Sequence, residues 1–222
     1  MAHDRLIAAI FIPNEGCPYR CVFCNQKDIT GANGLADREY VEQTLKTYLR
    51  SGNSLPIRRE AAFYGGSFTG LPLSRQEYLL TLVQPWIDSG EVHSIRVSTH
   101  PLFIDSERLS LLKKYKVETV ELGIQSTNAL VLQLSGRDCS TNAMENAIEM
   151  IRGHGFRLGL QLMSGLPGDD DRSFQKSVDD VIRWRPDFVR IYPTLVIRHT
   201  PLYLMYMDNR FVPWNLEQTI ES

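Results

Sequence analysis

Residues 16–26 read GCPYRCVFCNQ, which places Cys17, Cys21 and Cys24 within eight residues, while one further cysteine, Cys139, serves the rest of the 222-residue chain. In a reducing compartment, thiols clustered this closely point to metal binding or catalysis rather than disulfides, and three of them leave an odd one out for pairing. Three thiolates can hold three corners of a cubane [4Fe–4S] cluster; electron-transfer clusters take four, so a triad leaves the last iron open. An open coordination position is how metal sites take up substrate. A structural zinc site is the rival. It needs a fourth ligand, and no second pair follows at a suitable spacing. Cys139, in GRDCST, reads as a small apolar side chain.

Other polar groups fall at comparable places. Gly65 and Gly66, in FYGGSFTG, allow the backbone a close approach to a ligand. Gln125 ends the apolar run TVELGIQ, Gln161 lies within RLGLQLM, and Arg137 follows shortly after the first of these. A guanidinium is a natural partner for a carboxylate. Each alone is ordinary, since an isolated Arg is usually solvated and a strand-end Gln usually satisfies backbone. Their common position on one rim is what carries weight. No Ser-His or Cys-His motif stands at a strand end; His100 and His199 lie near the rim and read as incidental.

These residues need a scaffold. Six β-rich apolar runs occur at 6–12, 61–64, 94–98, 119–125, 157–163 and 187–192. Helical patterns separate them. Asp37–Arg50 sets Val41, Leu45 and Leu49 on one face. Ser74 with Glu77 reads as a capping box opening the next helix, which Pro85 should kink or end. Further helices are expected from Ser106, over Thr141–His154 and over Asp171–Trp184, the last stopped by Pro186. Such alternation implies right-handed βαβ units around a parallel sheet, either open and doubly wound or a partial barrel. In both, chemistry sits at the C-terminal ends of the strands, where the cysteine run falls.

An apolar share of 43% with 23% charged residues suits a globular chain, and one domain over residues 1–222 is the reading. The formal charge of −2 supplies no global basic field for indiscriminate nucleic-acid or membrane binding. The opening residues show no signal-peptide pattern and no run reaches membrane-spanning length, so a cytoplasmic location is expected. A last helix, capped by Asn215 with Gln218, stops after about two turns, which reads as a chain lacking a C-terminal extension.

C-x₃-C-x₂-C with Phe23 before the last cysteine resembles the signature of the radical S-adenosylmethionine (SAM) enzymes. The resemblance implies a partial (β/α)₆ TIM-like barrel, a [4Fe–4S] cluster on Cys17, Cys21 and Cys24, and SAM bound at the open iron. It also implies a one-electron donor of flavodoxin or ferredoxin type and a 5′-deoxyadenosyl radical that abstracts hydrogen from substrate. Laid against the oxygen-independent coproporphyrinogen oxidase branch, Phe23, Gly66, Gln125 and Arg137 look like SAM contacts, with Gly65 beside them. Ser98 and Gln161 replace that branch's acidic residues, which implies more neutral SAM contacts. VRIYPTLVIRHTPLY, GGSFTGLP and VSTHP look very like segments of the radical SAM domain of the Elongator catalytic subunit, a tRNA wobble-uridine modifying enzyme. That family has a wider gap between its first two cysteines and an acetyltransferase domain absent from these residues, so carboxymethylation of tRNA does not carry over. A tRNA or RNA substrate is the expectation, met by Arg190, Tyr192 and Arg198 at the barrel mouth. The alternatives are a small-molecule radical enzyme like coproporphyrinogen oxidase and a metal-stabilised binding module without catalysis. The cluster Arg183, Trp184 and Arg185 is read as helix capping.

Overall fold

The computed structural model describes residues 5–31, 35–51 and 58–221. Six strands, β1 (Arg5–Phe11), β2 (Arg58–Tyr64), β3 (Ser94–Thr99), β4 (Val117–Gln125), β5 (Arg157–Ser164) and β6 (Phe188–Pro193), pair in parallel. Between and after them lie α1 (Gln26–Thr30), α2 (Arg38–Ser51), α3 (Leu73–Asp88), α4 (Ser106–Lys114), α5 (Ala129–Leu134), α6 (Thr141–Gly153), α7 (Asp171–Trp184), α8 (Pro201–Met207) and α9 (Leu216–Glu221). The spatial order is β1-β2-β3-β4-β5-β6. A doubly wound sheet reverses its order at a switch point. Here each crossover steps the same way, so the helices gather on one face and the sheet curls into a half-barrel.

The two faces of the strands differ in kind. Ile95 and Val97 of β3, Val120, Leu122 and Ile124 of β4, and Leu158, Leu160 and Leu162 of β5 belong to one apolar core shared with α2 through α7. In α2, Val41 and Leu45 are fully buried and Leu49 nearly so, the face its spacing predicts. Each such side chain contributes about 1.5–3 kcal/mol through burial. The opposite face, offset by one residue, turns polar: Glu121 and Gln161 line the hollow of the half-barrel, and Glu60 and Arg96 are buried and paired on the same face. The core therefore sits outside the sheet, between strands and helices, and the concave side is left for chemistry.

Local expectations meet a mixed outcome. The box at Ser74 does not form: α3 opens after Pro72 with no side-chain cap, and Glu77 instead accepts hydrogen bonds from Lys114 Nζ at 2.9 Å and Tyr115 Oη at 2.6 Å. Pro85 lies inside α3, which continues to Asp88, because the bond a proline removes falls in the final turn. A reciprocal capping box occurs at Asp170 and Ser173 of α7, and Asn215 and Gln218 cap α9 mutually as expected. Among the described residues no helix is long and apolar enough to cross a membrane.

Candidate functional site

The cysteine loop leaves β1 and is clamped from three sides. On the β2 side, Asn14 N donates to Gly65 O at 3.2 Å and Ser67 N to Glu15 O at 3.0 Å. Contact there is so close that a Cβ on Gly16 would lie 2.3 Å from Ser67 O, and one on Gly66 would lie 2.3 Å from Glu15 O. Gly66 is thus glycine because the loop backbone occupies its side-chain space. Arg75 reinforces this side through Glu15, at 3.0 Å and 3.2 Å. From the α5 side, Ser135 O accepts from Val22 N at 3.0 Å; after β6, Leu202 N donates to Val22 O at 2.9 Å.

Gly16 carries φ +70, so alanine there meets both a left-handed backbone and a backbone clash. The conformational cost is about 1–2 kcal/mol, and overpacking adds about 1–3 kcal/mol. Gly90, at φ +77 with open space around it, pays only the first cost. Urea unfolding of the metal-free protein is therefore expected to show Gly16→Ala lowering the midpoint well beyond Gly90→Ala; equal shifts would remove the clamp.

Held in this way, Cys17, Cys21 and Cys24 line a cavity of about 410 Å³ at the C-terminal ends of the strands. All four cysteines are free thiols. Phe23, Gly65, Gly66, Ser98, Gln125, Arg137, Gln161, Arg190 and Tyr192 line the same cavity. Arg198 does not: it is exposed, and its backbone carbonyl accepts from Asn25 Nδ2 at 3.4 Å, beside the His199–Asp28 contact at 2.9 Å. Among the described residues no three His, Cys, Asp or Glu side chains are placed to hold a single metal ion. Burial pushes the Cys21 and Cys24 thiols up, and the Arg137 guanidinium opposes that rise at Cys21.

Two rim residues owe their placement to backbone irregularity or sharp packing. Gln125 adopts φ +70 where the β4–β5 register shifts, and its Oε1 accepts from Gln161 Nε2 at 3.2 Å. A left-handed glutamine costs about 1–2 kcal/mol, the kind of strain found where a side chain must be aimed. Arg137 is 7% exposed and donates through Nη2 to Gly123 O; its Nη1 lies 3.9 Å from Cys21 Sγ, and its Nε has no partner.

Below the rim lies a charged layer that sequence reasoning missed. Glu121 Oε1 accepts from Tyr64 Oη at 2.8 Å and Arg96 Nη1 at 2.9 Å, and Arg190 Nε stands 3.2 Å from its Oε2. Arg190 also donates to Tyr64 Oη at 2.7 Å and Tyr192 Oη at 3.2 Å. Arg96 continues to Glu60 at 2.8 Å, and Glu60 to Arg5 at 2.6 Å. Burial, with the Glu121 carboxylate beside it, pushes Tyr64 up to about 12. The signal was available: REAAFY, SIRVS and VELG each carry a charge one residue out of phase with the apolar set. Glu121 stands in register with Ser98, so the hollow keeps a carboxylate from β4 where β3 offers a hydroxyl.

The Radical SAM superfamily model matches residues 11–181, and the Radical_SAM C-terminal domain model matches 186–222. The chain belongs to the radical SAM superfamily. Among radical SAM relatives, the tRNA uridine(34) acetyltransferase of Methanocaldococcus infernus is 31% identical over 128 residues, covering 56% of this chain and 24% of that protein. The structure of M. infernus Elp3 with an N-terminal deletion superposes with a TM-score of 0.76 at 19% identity, covering 98% of this chain and 52% of that one. The radical SAM methyltransferase TsrM from Kitasatospora setae, solved with cobalamin and a [4Fe-4S] cluster bound, gives 0.66 at 17% identity, covering 90% and 39%. The chain thus spans about a quarter of that curated relative and about half or less of the two structures. At these identities the structural likeness shows the radical SAM half-barrel fold alone, and it agrees with the strand order described above.

Proposed function

We propose that Cys17, Cys21 and Cys24 ligate a [4Fe–4S] cluster whose open iron binds SAM, and that the chain is a cytoplasmic enzyme that starts its reaction by abstracting hydrogen from substrate. The observation that carries this reading is the presence of three free thiols on one cavity wall, facing the strand ends. The donor set fits. Three thiolates suit three corners of a cubane cluster and leave the fourth iron open.

Cys17, Cys21 and Cys24 would hold the cluster, which with SAM and one electron from a flavodoxin- or ferredoxin-type donor would supply reductive cleavage of the sulfonium C–S bond, giving methionine and a 5′-deoxyadenosyl radical. The chain's own groups bind and orient. Arg137 is suited to the SAM carboxylate, since its Nε is a buried donor without a partner. Gly65 and Gly66 bring backbone to the cavity edge, Gln125 and Gln161 offer amides to the ribose, and Ser98 and Phe23 complete the wall. The half-barrel and its loops exclude water from the reacting centre. Similarity to a tRNA-modifying relative favours an RNA base as substrate. Arg190 and Tyr192 would meet it inside the cavity, and Arg198 would meet backbone phosphate outside.

Anaerobic reconstitution with iron and sulfide is expected to give about four irons per chain, brown absorbance that bleaches on reduction, and 5′-deoxyadenosine from SAM. One tightly held zinc without iron uptake would favour a metal-stabilised module and end the enzyme reading. Nucleoside analysis of RNA from a strain lacking the gene tests the substrate; an unchanged profile would remove RNA.

A further inference from the structure

His100 follows β3 in VSTHP, and the next residue, Pro101, restricts it to extended backbone, φ −94 and ψ 141. That geometry makes it the cap of the short turn Pro101–Phe103, with Nδ1 accepting from Leu102 N at 3.2 Å. A backbone N–H can only donate, so Nδ1 holds a lone pair and the neutral ring carries its hydrogen on Nε2. The ring is 1% exposed. Burial, helped by the Arg137 charge, pushes His100 down to about 3, so it stays neutral throughout the working range.

Nε2 is buried and has no hydrogen-bond partner. Leaving a buried donor unmet costs about 1–3 kcal/mol, so such a group calls for an acceptor. His100 is among the residues that line the cavity holding the three thiols. Its face stacks on Tyr19, centroids 4.6 Å apart, and Tyr19 lies in the spacer between Cys17 and Cys21, with its carbonyl 3.9 Å from Cys17 Sγ. Two unpartnered buried N–H groups, Arg137 Nε and His100 Nε2, thus belong to residues that contact the cysteine loop at different points.

Resting on the cluster reading above, we propose that His100 is a positioning residue whose Nε2–H donates to a sulfur of the [4Fe–4S] cluster and raises its reduction potential. Hydrogen bonds to cluster sulfurs stabilise the reduced, more negative state. His100 moves no proton. Its turn aims the donor, and Tyr19 holds the ring plane against the loop.

The test is an EPR-monitored redox titration of reconstituted protein without SAM, comparing wild type, His100→Phe and His100→Gln. Loss of the donor in His100→Phe is expected to lower the equilibrium constant for reduction about tenfold, a midpoint about 59 mV more negative for one electron. His100→Gln carries an amide N–H of similar reach and should recover most of that shift. Should His100→Phe load poorly, His100→Leu replaces it in the same comparison with His100→Gln. Identical midpoints in fully loaded wild type and apolar variant would overturn the proposal, as would equal shifts in the apolar and Gln variants. A shift that emerges only when SAM is added would overturn it too, since the acceptor would then be SAM. Wild-type protein that takes up no iron would overturn the cluster reading itself, whereas loaded protein with unmoved potentials removes only His100.

Discussion

Cys24→Ala protein is expected to hold no [4Fe–4S] cluster after anaerobic reconstitution and to release no 5′-deoxyadenosine, whereas Cys139→Ala keeps both. On the proposed ligation each of the three loop thiols serves a separate iron, so removing one would expose a second iron and open the cluster to loss. Cys24 cannot be replaced from nearby, because its turn is set by Cys24 N donating to Cys21 O at 3.0 Å, and the next thiol in the chain is Cys139. Cys139 is 6% exposed and lines a second depression with Gln133, Gly136 and Ser140. Arg137 lines both hollows and stands between them. Burial pushes the Cys139 thiol up as it does those of Cys21 and Cys24, so it is the separate depression that sets Cys139 apart from the loop thiols. Iron per chain and product release are the measurements. Equal loss in the two variants would refute the ligand assignment.

The second large effect concerns stability. Removing one partner from a buried charge pair strands the other, at a cost of about 3–5 kcal/mol. Glu121 is 4% exposed and binds two guanidiniums. Arg96 retains Glu60 when Glu121 is lost, but among the described residues Arg190 has no other carboxylate. Glu121→Ala should therefore lose about 3–5 kcal/mol. Glu121→Gln keeps an acceptor for Tyr64 and should lose about 1–3 kcal/mol, the cost of weakened hydrogen bonding. Urea unfolding of metal-free protein reads both as midpoint shifts at constant slope. A Glu121→Ala change within about 0.5 kcal/mol, typical of a surface position, would show the network to be solvated in solution.

What was legible in the sequence was chiefly local. The cysteine spacing and the period-two and helical patterns act over a few residues, and the strands fall within three residues of where they were expected. Strand order is set by long-range packing, so the strand-helix pattern alone fits a doubly wound sheet and a half-barrel equally; the resemblance carried by the cysteine motif implies the half-barrel, and the observed order agrees. The Ser74 cap failed because Pro72 already starts the helix, leaving Ser74 inside its first turn. The Glu60–Arg96–Glu121–Arg190 chain is not legible because each charge looks isolated along the sequence, and only the parallel sheet brings them together, each two residues beyond its neighbour's register partner. His100 read as incidental for the same reason: nothing local tells that its outer nitrogen is buried without a partner.

The location of the apolar core has a consequence for how such a protein matures and survives oxidation. Zinc fingers fold around their metal and collapse without it. Here Leu45, Phe63, Leu122, Ile148 and Leu160 are buried outside the sheet, and the thiols sit on its far, concave side, on a loop already fastened by backbone contacts to three neighbours. The core does not draw on the thiols, so metal-free protein is expected to unfold cooperatively in urea, and a non-cooperative transition would tie folding to the cofactor. On that expectation the polypeptide would be made first and charged later, and damage to an oxygen-sensitive cofactor would leave a container ready for repair rather than a chain that must refold.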